Sequence, residues 1–211
     1  DTTKTAEKKG NELKHVQSLV RGAMKALSTT ECKPITSPRF AEWLGIETFG
    51  DPELEKMVAC CSEWACAFKS QAAPRWLTVL GGSGVGKTAC CLRLWNWARR
   101  RVKWQHDCLE DLIYWPDFVQ KLRSGEWYHY RDSMKTWPVL FLDDIGAERD
   151  PSGFAAEELN TLLGCRMNRW TLLTSNNEMA KINAIDTRIA SRLVRDKNIC
   201  VCVETKDYVL R

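Results

Sequence analysis

The segment GGSGVGKT places a lysine and a hydroxyl residue directly after a run of glycines, a pattern suited to holding phosphate groups. Glycines let the backbone turn its N–H groups toward phosphate oxygens, and a helix that follows directs its positive end to the same anion. In the pattern G-x-x-x-x-G-K-[ST], the lysine reaches the terminal phosphates of ATP and the hydroxyl is offered to Mg²⁺. We therefore expect ATP to contact the whole loop, that is Gly81, Gly82, Ser83, Gly84, Val85, Gly86, Lys87 and Thr88.

Two adjacent acids, Asp143 and Asp144, follow the apolar run at residues 139–142. Burying a carboxylate is costly unless a cation compensates its charge. A nucleotide site of this type needs an acid at the end of a second strand to hold Mg²⁺, and Asp143 has that position, beside Thr88 as the other metal ligand. For Asp144 two interpretations stay open. It orients or deprotonates the attacking water, or it simply forms a turn or caps a helix.

Apolar runs alternate with helical periodicities after Pro74 and predict a parallel sheet flanked by helices, the α/β fold of P-loop NTPases. Strands are expected at 76–80, 111–115, 139–143, 170–175 and 199–203, and helices at 52–70, 87–101, 116–122, 154–167 and 188–195. An amphipathic helix at 7–27 precedes a proline-containing linker. We therefore divide the chain into a short helical N-terminal extension (1–38) and an ATPase domain (39–211).

The composition excludes some classes of protein. No apolar run in the 211 residues is long enough to span a membrane, and the first residues lack the apolar core of a signal peptide, so we expect no membrane association. Ten cysteines occur without any CxxC spacing and the three histidines are scattered, which argues against a zinc site. We expect reduced thiols in a cytoplasmic protein. The net charge of +4 decides little, but local basic runs leave nucleic-acid binding open.

Three further motifs carry a family resemblance: FLDDIGAE at 141–148, TLLTSNN at 171–177 and DTRIASRL at 186–193. Together with the glycine loop they resemble the DnaC-type helicase loaders, which are AAA+ ATPases, over roughly residues 39–211. The resemblance implies an AAA+ domain with little or no lid domain. It also implies that Asn176 senses the γ-phosphate, that Arg192 reaches the nucleotide of a neighbouring subunit, and that Arg188 acts beside Arg192 or supports it. Asp144 stands where many AAA+ members have Glu, which would favour slow hydrolysis.

The same resemblance implies partners. The protein would be an ATP-dependent loader of a replicative, DnaB-like helicase in a bacterium or a phage-infected cell, assembling as a homo-oligomeric ring or spiral on single-stranded DNA. Cations interleave with aromatics at 121–137, a pattern suited to base stacking and phosphate contact, although packing of the aromatics in the core explains it equally well. The helix at 7–27 would dock the helicase or fold back on its own domain. Candidate DNA contacts are Lys121, Arg123, Tyr128, Tyr130 and Arg131.

Three other functions remain open at this point. An IstB-like transposition ATPase shares these motifs but would bind duplex DNA and a transposase. A small-molecule P-loop kinase would work as a monomer and would have no use for Arg192 in a neighbouring subunit. A nucleotide-gated adaptor would bind ATP and scarcely hydrolyse it.

Overall fold

The structure is a computed structural model that describes residues 38–102 and 112–206. Within these ranges the strands form one sheet in the order β2-β3-β4-β1-β5, and every neighbouring pair is parallel. The strands are β1 (Trp76–Gly81), β2 (Ile113–Tyr114), β3 (Val139–Asp143), β4 (Trp170–Ser175) and β5 (Ile199–Val203).

Helices connect the strands and cover both faces of the sheet. None of those in the described ranges is both long and apolar enough to cross a membrane. They are α1 (Pro38–Leu44), α2 (Pro52–Ser70), α3 (Lys87–Arg99), α4 (Trp115–Arg123), α5 (Tyr128–Met134), α6 (Phe154–Cys165), α7 (Met179–Ile185) and α8 (Thr187–Val194).

The expected alternation of strands and helices is confirmed. All five strands and the helices α2, α3, α4, α6 and α8 end within two residues of the expected boundaries. Three helices, α1, α5 and α7, were not expected, and each has only seven residues. A helix of two turns is too short to show a clear apolar period, which explains why the sequence pattern missed them. The amphipathic helix expected at 7–27 lies outside the described residues.

Local sequence explains why α2 starts where it does. The carboxylate of Asp51 accepts hydrogen bonds from the backbone N–H of Glu53 at 2.9 Å and of Leu54 at 3.4 Å. Pro52 occupies the first turn, where its missing N–H removes no helical hydrogen bond. The helix then buries Trp64 and its neighbours one turn apart, Met57, Cys61 and Phe68, against the sheet.

The two faces of the sheet carry separate apolar clusters because side chains alternate along each strand. On β1, Leu77 and Val79 pack on the side of α2 and α3, whereas Trp76 and Leu80 pack on the side of α4, α6 and α8. The described cysteines form no disulfide, and burial raises the pKa of the Cys91 thiol well above its usual range. The buried thiols, such as that of Cys91, act as packing groups of the core.

A fully buried arginine holds the amino-terminal edge of the sheet together. Arg166, at the end of α6, donates to the carbonyl oxygens of Met134 at 2.5 Å, Trp137 at 3.0 Å and Trp170 at 2.7 Å, and to the hydroxyl of Thr171 at 3.1 Å. Burial lowers its pKa to about 9. One side chain thus joins the end of α6, the start of β4 and the connection between α5 and β3.

Replacing Arg166 with methionine should destabilise the fold, because three buried carbonyl groups lose their donor. We expect a loss of about 3 kcal/mol or more in the free energy of unfolding, measured by urea denaturation. Arg169→Met is the matched control, since Arg169 donates to the carbonyl of Thr136 at an exposed position, and a loss of about 0.5 kcal/mol is expected there. Equal losses in the two variants would contradict this account of Arg166.

Candidate active site

A cleft of about 530 Å³ lies at the carboxyl ends of β1, β3 and β4. Since β4 lies between β1 and β3, the loops that follow these three strands meet at one edge of the sheet. The cleft is lined by Gly45, Ile46, Ser83, Gly84, Gly86, Lys87, Thr88, Ala89, Tyr114, Asp143, Asp144, Thr174 and Asn176. Five of the eight expected loop residues therefore lie in the cleft together with both acids and Asn176. Gly81, Gly82 and Val85 do not line it, and Val85 is buried in the core.

The glycine loop is shaped by two close approaches of the backbone. Gly81 has φ +141°, and a Cβ there would collide with the carbonyl oxygen of Val203 on β5. Gly86, with φ +90°, lies where a Cβ would come within 2.5 Å of the Cδ1 atom of Ile46. Only glycine fits both positions, so the loop wraps closely at the start of α3 and leaves room for a ligand against its backbone.

The Lys87 ammonium is almost completely buried and is held by three oxygens. It donates to the carbonyl of Gly81 at 2.8 Å, the carbonyl of Gly82 at 2.6 Å and Oδ1 of Asn176 at 2.8 Å. Burial lowers the pKa of Lys87, while the charges of Asp144 and Asp143 oppose this shift. A phosphate that binds Lys87 would therefore replace these neutral partners with a negative charge.

Asp143 accepts two hydroxyl hydrogen bonds on the same carboxylate oxygen. Thr88 Oγ1 donates to Oδ1 at 2.9 Å and Thr174 Oγ1 donates to it at 2.5 Å. Among the described residues, Oδ2 has no hydrogen-bond partner, so it is available to a ligand. The expected pairing of Thr88 with Asp143 across the cleft is present in the structure.

Asp144 is both a turn residue and a residue of the cleft. Its φ of +58° is left-handed, a conformation that aspartate tolerates better than most residues, and its backbone N–H donates to Thr174 Oγ1 at 2.9 Å. Its Oδ1 accepts a hydrogen bond from Asn176 Nδ2 at 2.7 Å. Burial raises the pKa of Asp144, with Asp143 as the second cause. Asp144 thus lies both in the turn and in the cleft, and its role toward the attacking water stays a prediction.

Arg188 and Arg192 do not line the cleft of their own chain. Arg192 donates to the side chain of Asn160 on α6. Arg188 forms ion pairs with Asp186 and Glu157, both at 2.7 Å, and these pairs raise its pKa. The expected role of both arginines toward the nucleotide of a neighbouring subunit stays a prediction.

The candidate DNA contacts are already engaged within the chain. Arg123 pairs with Asp150 at 2.9 Å, and Arg131 pairs with Glu158 at 3.2 Å. The Lys121 ammonium lies 3.5 Å from the centre of the Trp127 ring.

The aromatic residues of the same segment divide into packed and exposed ones. Tyr130 packs edge-on against Trp137 with 4.9 Å between ring centres, and both belong to the core side of α5. Tyr128 is 42% exposed, so of the two candidate tyrosines it is the one with a ring free to stack on a base. Whether any of these residues contacts DNA stays a prediction.

Five residues of the cleft were not found from the sequence: Gly45, Ile46, Ala89, Tyr114 and Thr174. Two of them carried a usable signal. Tyr114 ends β2 in register with Asp143, and Thr174 precedes Asn176 by two positions, so both lie at the same sheet edge. Gly45 and Ile46 lie between α1 and α2, where no sequence pattern pointed to the cleft.

Comparison with known proteins agrees with this fold. No protein-family model matches the chain. The replicative helicase loader DnaI of Bacillus subtilis is 28% identical over 132 residues, which are 60% of this chain and 41% of the relative. The chain thus spans about two fifths of the length of this relative.

Solved structures resemble the chain over most of its length. The crystal structure of DnaI has a TM-score of 0.58 at 24% identity and covers 79% of this chain and 92% of that one. The DnaC helicase loader gives 0.55 at 18%, with 79% and 99% covered. The replication initiator DnaA bound to AMPPCP and single-stranded DNA gives 0.56 at 21%, with 82% and 52% covered.

The parallel five-stranded sheet, the glycine loop and the acid-bearing strand define the fold of the AAA+ P-loop ATPases. Within that class, the predicted resemblance to the DnaC-type helicase loaders is confirmed by the DnaI and DnaC matches.

The raised pKa of Asp144 makes a prediction about stability. Folding favours its protonated form, so ionisation costs stability as pH rises from the ordinary value of 3.8 through the folded pKa. Asp144→Asn keeps an oxygen for Asn176 and cannot ionise. We expect it to be more stable than the wild type at pH 7, with the advantage shrinking as pH falls through the raised pKa and absent below about 3.8, measured by urea denaturation across pH.

Asp132→Asn is a control of opposite sign. A hydrogen bond from Lys135 lowers the pKa of Asp132, so its contribution is present above the ordinary value and is lost as pH falls. This variant should gain no stability at pH 7. A similar gain in both variants would contradict the assignment to Asp144.

Proposed function

We propose that the protein is an ATP-dependent loader of a replicative DNA helicase. The observation that carries the proposal is the convergence of Lys87, Thr88, Asp143 and Asn176 on one cleft. The 28% identity of the chain to a replicative helicase loader over 132 residues supports the proposal.

The residues present fit an ATP–Mg²⁺ complex. Magnesium binds one or two protein oxygens and completes its shell with water and phosphate oxygens. The cleft supplies a hydroxyl, Thr88, and a carboxylate, Asp143, with 2.9 Å between their bonded oxygens. No group of three or more His, Cys, Asp and Glu side chains suited to a metal occurs in residues 38–102 and 112–206. Protein side chains alone therefore do not form a complete metal site within these ranges.

The chain's own side chains divide the work of hydrolysis. Lys87 would bind the terminal phosphates, and Thr88 and Asp143 would hold Mg²⁺, whose charge would offset the negative charge on the phosphate oxygens. Asp144 accepts the proton of the attacking water, a role that its raised pKa favours. Asn176 contacts both Lys87 and Asp144, so it can align the water with the phosphate.

Completion of the site requires a second subunit under this proposal. Arg192 lies on α8 away from its own cleft and supplies positive charge to the nucleotide of a neighbour, with Arg188 beside it. The oligomer is a ring or spiral with single-stranded DNA along it, and Tyr128 and the cations near it are candidate contacts. Residues 7–27 are the proposed helicase-docking segment. The proposed location is the bacterial cytoplasm. The cysteines that the structure describes are free thiols, as is usual for proteins of that compartment.

Mixing two inactive variants tests the shared site. Lys87→Ala removes the phosphate ligand and Arg192→Ala removes the arginine supplied to the neighbour, so each alone should lower the ATPase rate about 10³-fold. In an equimolar mixture some interfaces combine an intact cleft with an intact arginine. The rate should then return to about a quarter of the wild-type value if subunits assemble at random.

Arg195→Ala is the matched control, since Arg195 follows α8 and donates to Ser191 at 3.3 Å on the exposed surface. Its rate should equal that of the wild type. A mixture of Lys87→Ala and Arg192→Ala that stays inactive would contradict a site shared between subunits. A monomeric kinase would instead keep its rate in Arg192→Ala alone.

The partner is tested by binding. The full chain should bind the purified replicative helicase hexamer of its source organism with ATP present and release it as ATP is hydrolysed. Size-exclusion chromatography measures both the binding and the release. The chain should also bind a labelled single-stranded oligonucleotide more tightly than a duplex of the same length, with affinity falling steeply as salt rises. If the chain does not bind the hexamer, the loader assignment is wrong. A preference for duplex DNA would also contradict that assignment and would favour a transposition ATPase.

A further inference from the structure

We propose that Thr174 is a positioning residue that fixes the metal-binding acid and the turn that carries Asp144. This inference rests on the proposed function, since the importance of the positioning depends on a nucleotide and Mg²⁺ binding in the cleft. Thr174 lies on β4, two residues before Asn176, and is 1% exposed.

The Thr174 hydroxyl group donates one hydrogen bond and accepts another. Thr174 Oγ1 donates to Oδ1 of Asp143 at 2.5 Å and accepts from the backbone N–H of Asp144 at 2.9 Å. A hydroxyl is the small group that can donate and accept at once, so neither valine nor alanine could replace it. The Thr174 hydroxyl oxygen therefore contacts the side chain of Asp143 and the backbone N–H of Asp144.

The backbone of β4 reinforces this contact. Leu173 is in register with Leu142 on β3, and the carbonyl of Thr174 accepts from the N–H of Ile145 at 2.9 Å. Because threonine is branched at Cβ, its χ1 angle is restricted and its hydroxyl is held in place by the strand. The turn at 143–145 is thus tied to β4 at the point where it leaves β3.

Two consequences follow for the site. The hydrogen bond to Oδ1 restrains the rotation of the Asp143 carboxylate and leaves its other oxygen for the metal. The hydrogen bond from the Asp144 N–H stabilises the left-handed backbone that brings this second acid to Asn176. Groups behind a metal ligand typically change metal affinity 10–100-fold when removed. Thr174 has the geometry of such a group.

Three variants separate positioning from general stability. Thr174→Val removes the hydroxyl at constant shape, and Thr174→Ser restores it. Thr78→Val is the matched control, since Thr78 is buried on the neighbouring β1 and its hydroxyl has no hydrogen-bond partner among the described residues. Urea denaturation of each variant confirms that the protein compared is folded.

The first measurement is the Mg²⁺ concentration needed for half-maximal binding of a fluorescent ATP analogue. We expect Thr174→Val to raise it about tenfold, with affinity in the absence of Mg²⁺ unchanged, and Thr174→Ser to restore it. Thr78→Val should match the wild type. A wild-type Mg²⁺ requirement in Thr174→Val, or an equal rise in Thr78→Val, would overturn the proposal.

The second measurement needs no ligand. Hydrogen exchange of the Asp144 amide in the nucleotide-free protein should be faster in Thr174→Val and normal in Thr174→Ser, because the acceptor of that amide is the hydroxyl. Unchanged exchange in Thr174→Val would overturn the proposed contact. A wild-type protein that binds no nucleotide would instead overturn the proposed function, and the exchange result would still decide the contact by itself.

Discussion

The position of β4 between β1 and β3 is the constraint on which the rest of the site depends. β1 ends in the glycine loop, β3 ends in the acid pair, and the strand between them ends in Thr174 and Asn176. The middle strand can therefore touch both sides of the cleft at once: Asn176 contacts Lys87, and Thr174 contacts Asp143. A sheet with another strand order would separate the same motifs and leave each without its partners.

Charge in the cleft is balanced through hydrogen bonds that join its three sides. Lys87 is held by neutral oxygens, while Asp144 lies against Asn176 and close enough to Asp143 for its pKa to rise. Burial opposes both charges, lowering the pKa of Lys87 and raising that of Asp144. A site with these opposed shifts gains from a ligand that brings negative phosphate to the lysine and a cation to the acids.

The sequence predicted those parts of the fold and site that depend on short-range pattern. The glycine loop required a strand before it and a helix after it, and the run ending in Asp143 could only be an interior strand. The strand order and the second contact of Asn176, with Asp144, depend on distant chain segments.

Other features could not be predicted for physical reasons. The two-turn helix α5 carries too few residues for a periodic signal, and its tyrosines divide between packing and exposure according to a core that forms only in three dimensions. Arg166 reads as one more surface cation in the sequence, yet it is buried among three carbonyl groups that two separate segments supply. Gly45 and Ile46 belong to the cleft only because the chain before α2 crosses the glycine loop.

That crossing joins two parts of the chain that are far apart in sequence. The wall formed by Gly45 and Ile46 follows directly on α1, whose seven residues span about 10 Å. The side chain of Ile46 abuts Gly86 at the start of α3. The width of the cleft beside the glycine loop therefore depends on a residue that directly follows a helix of only two turns.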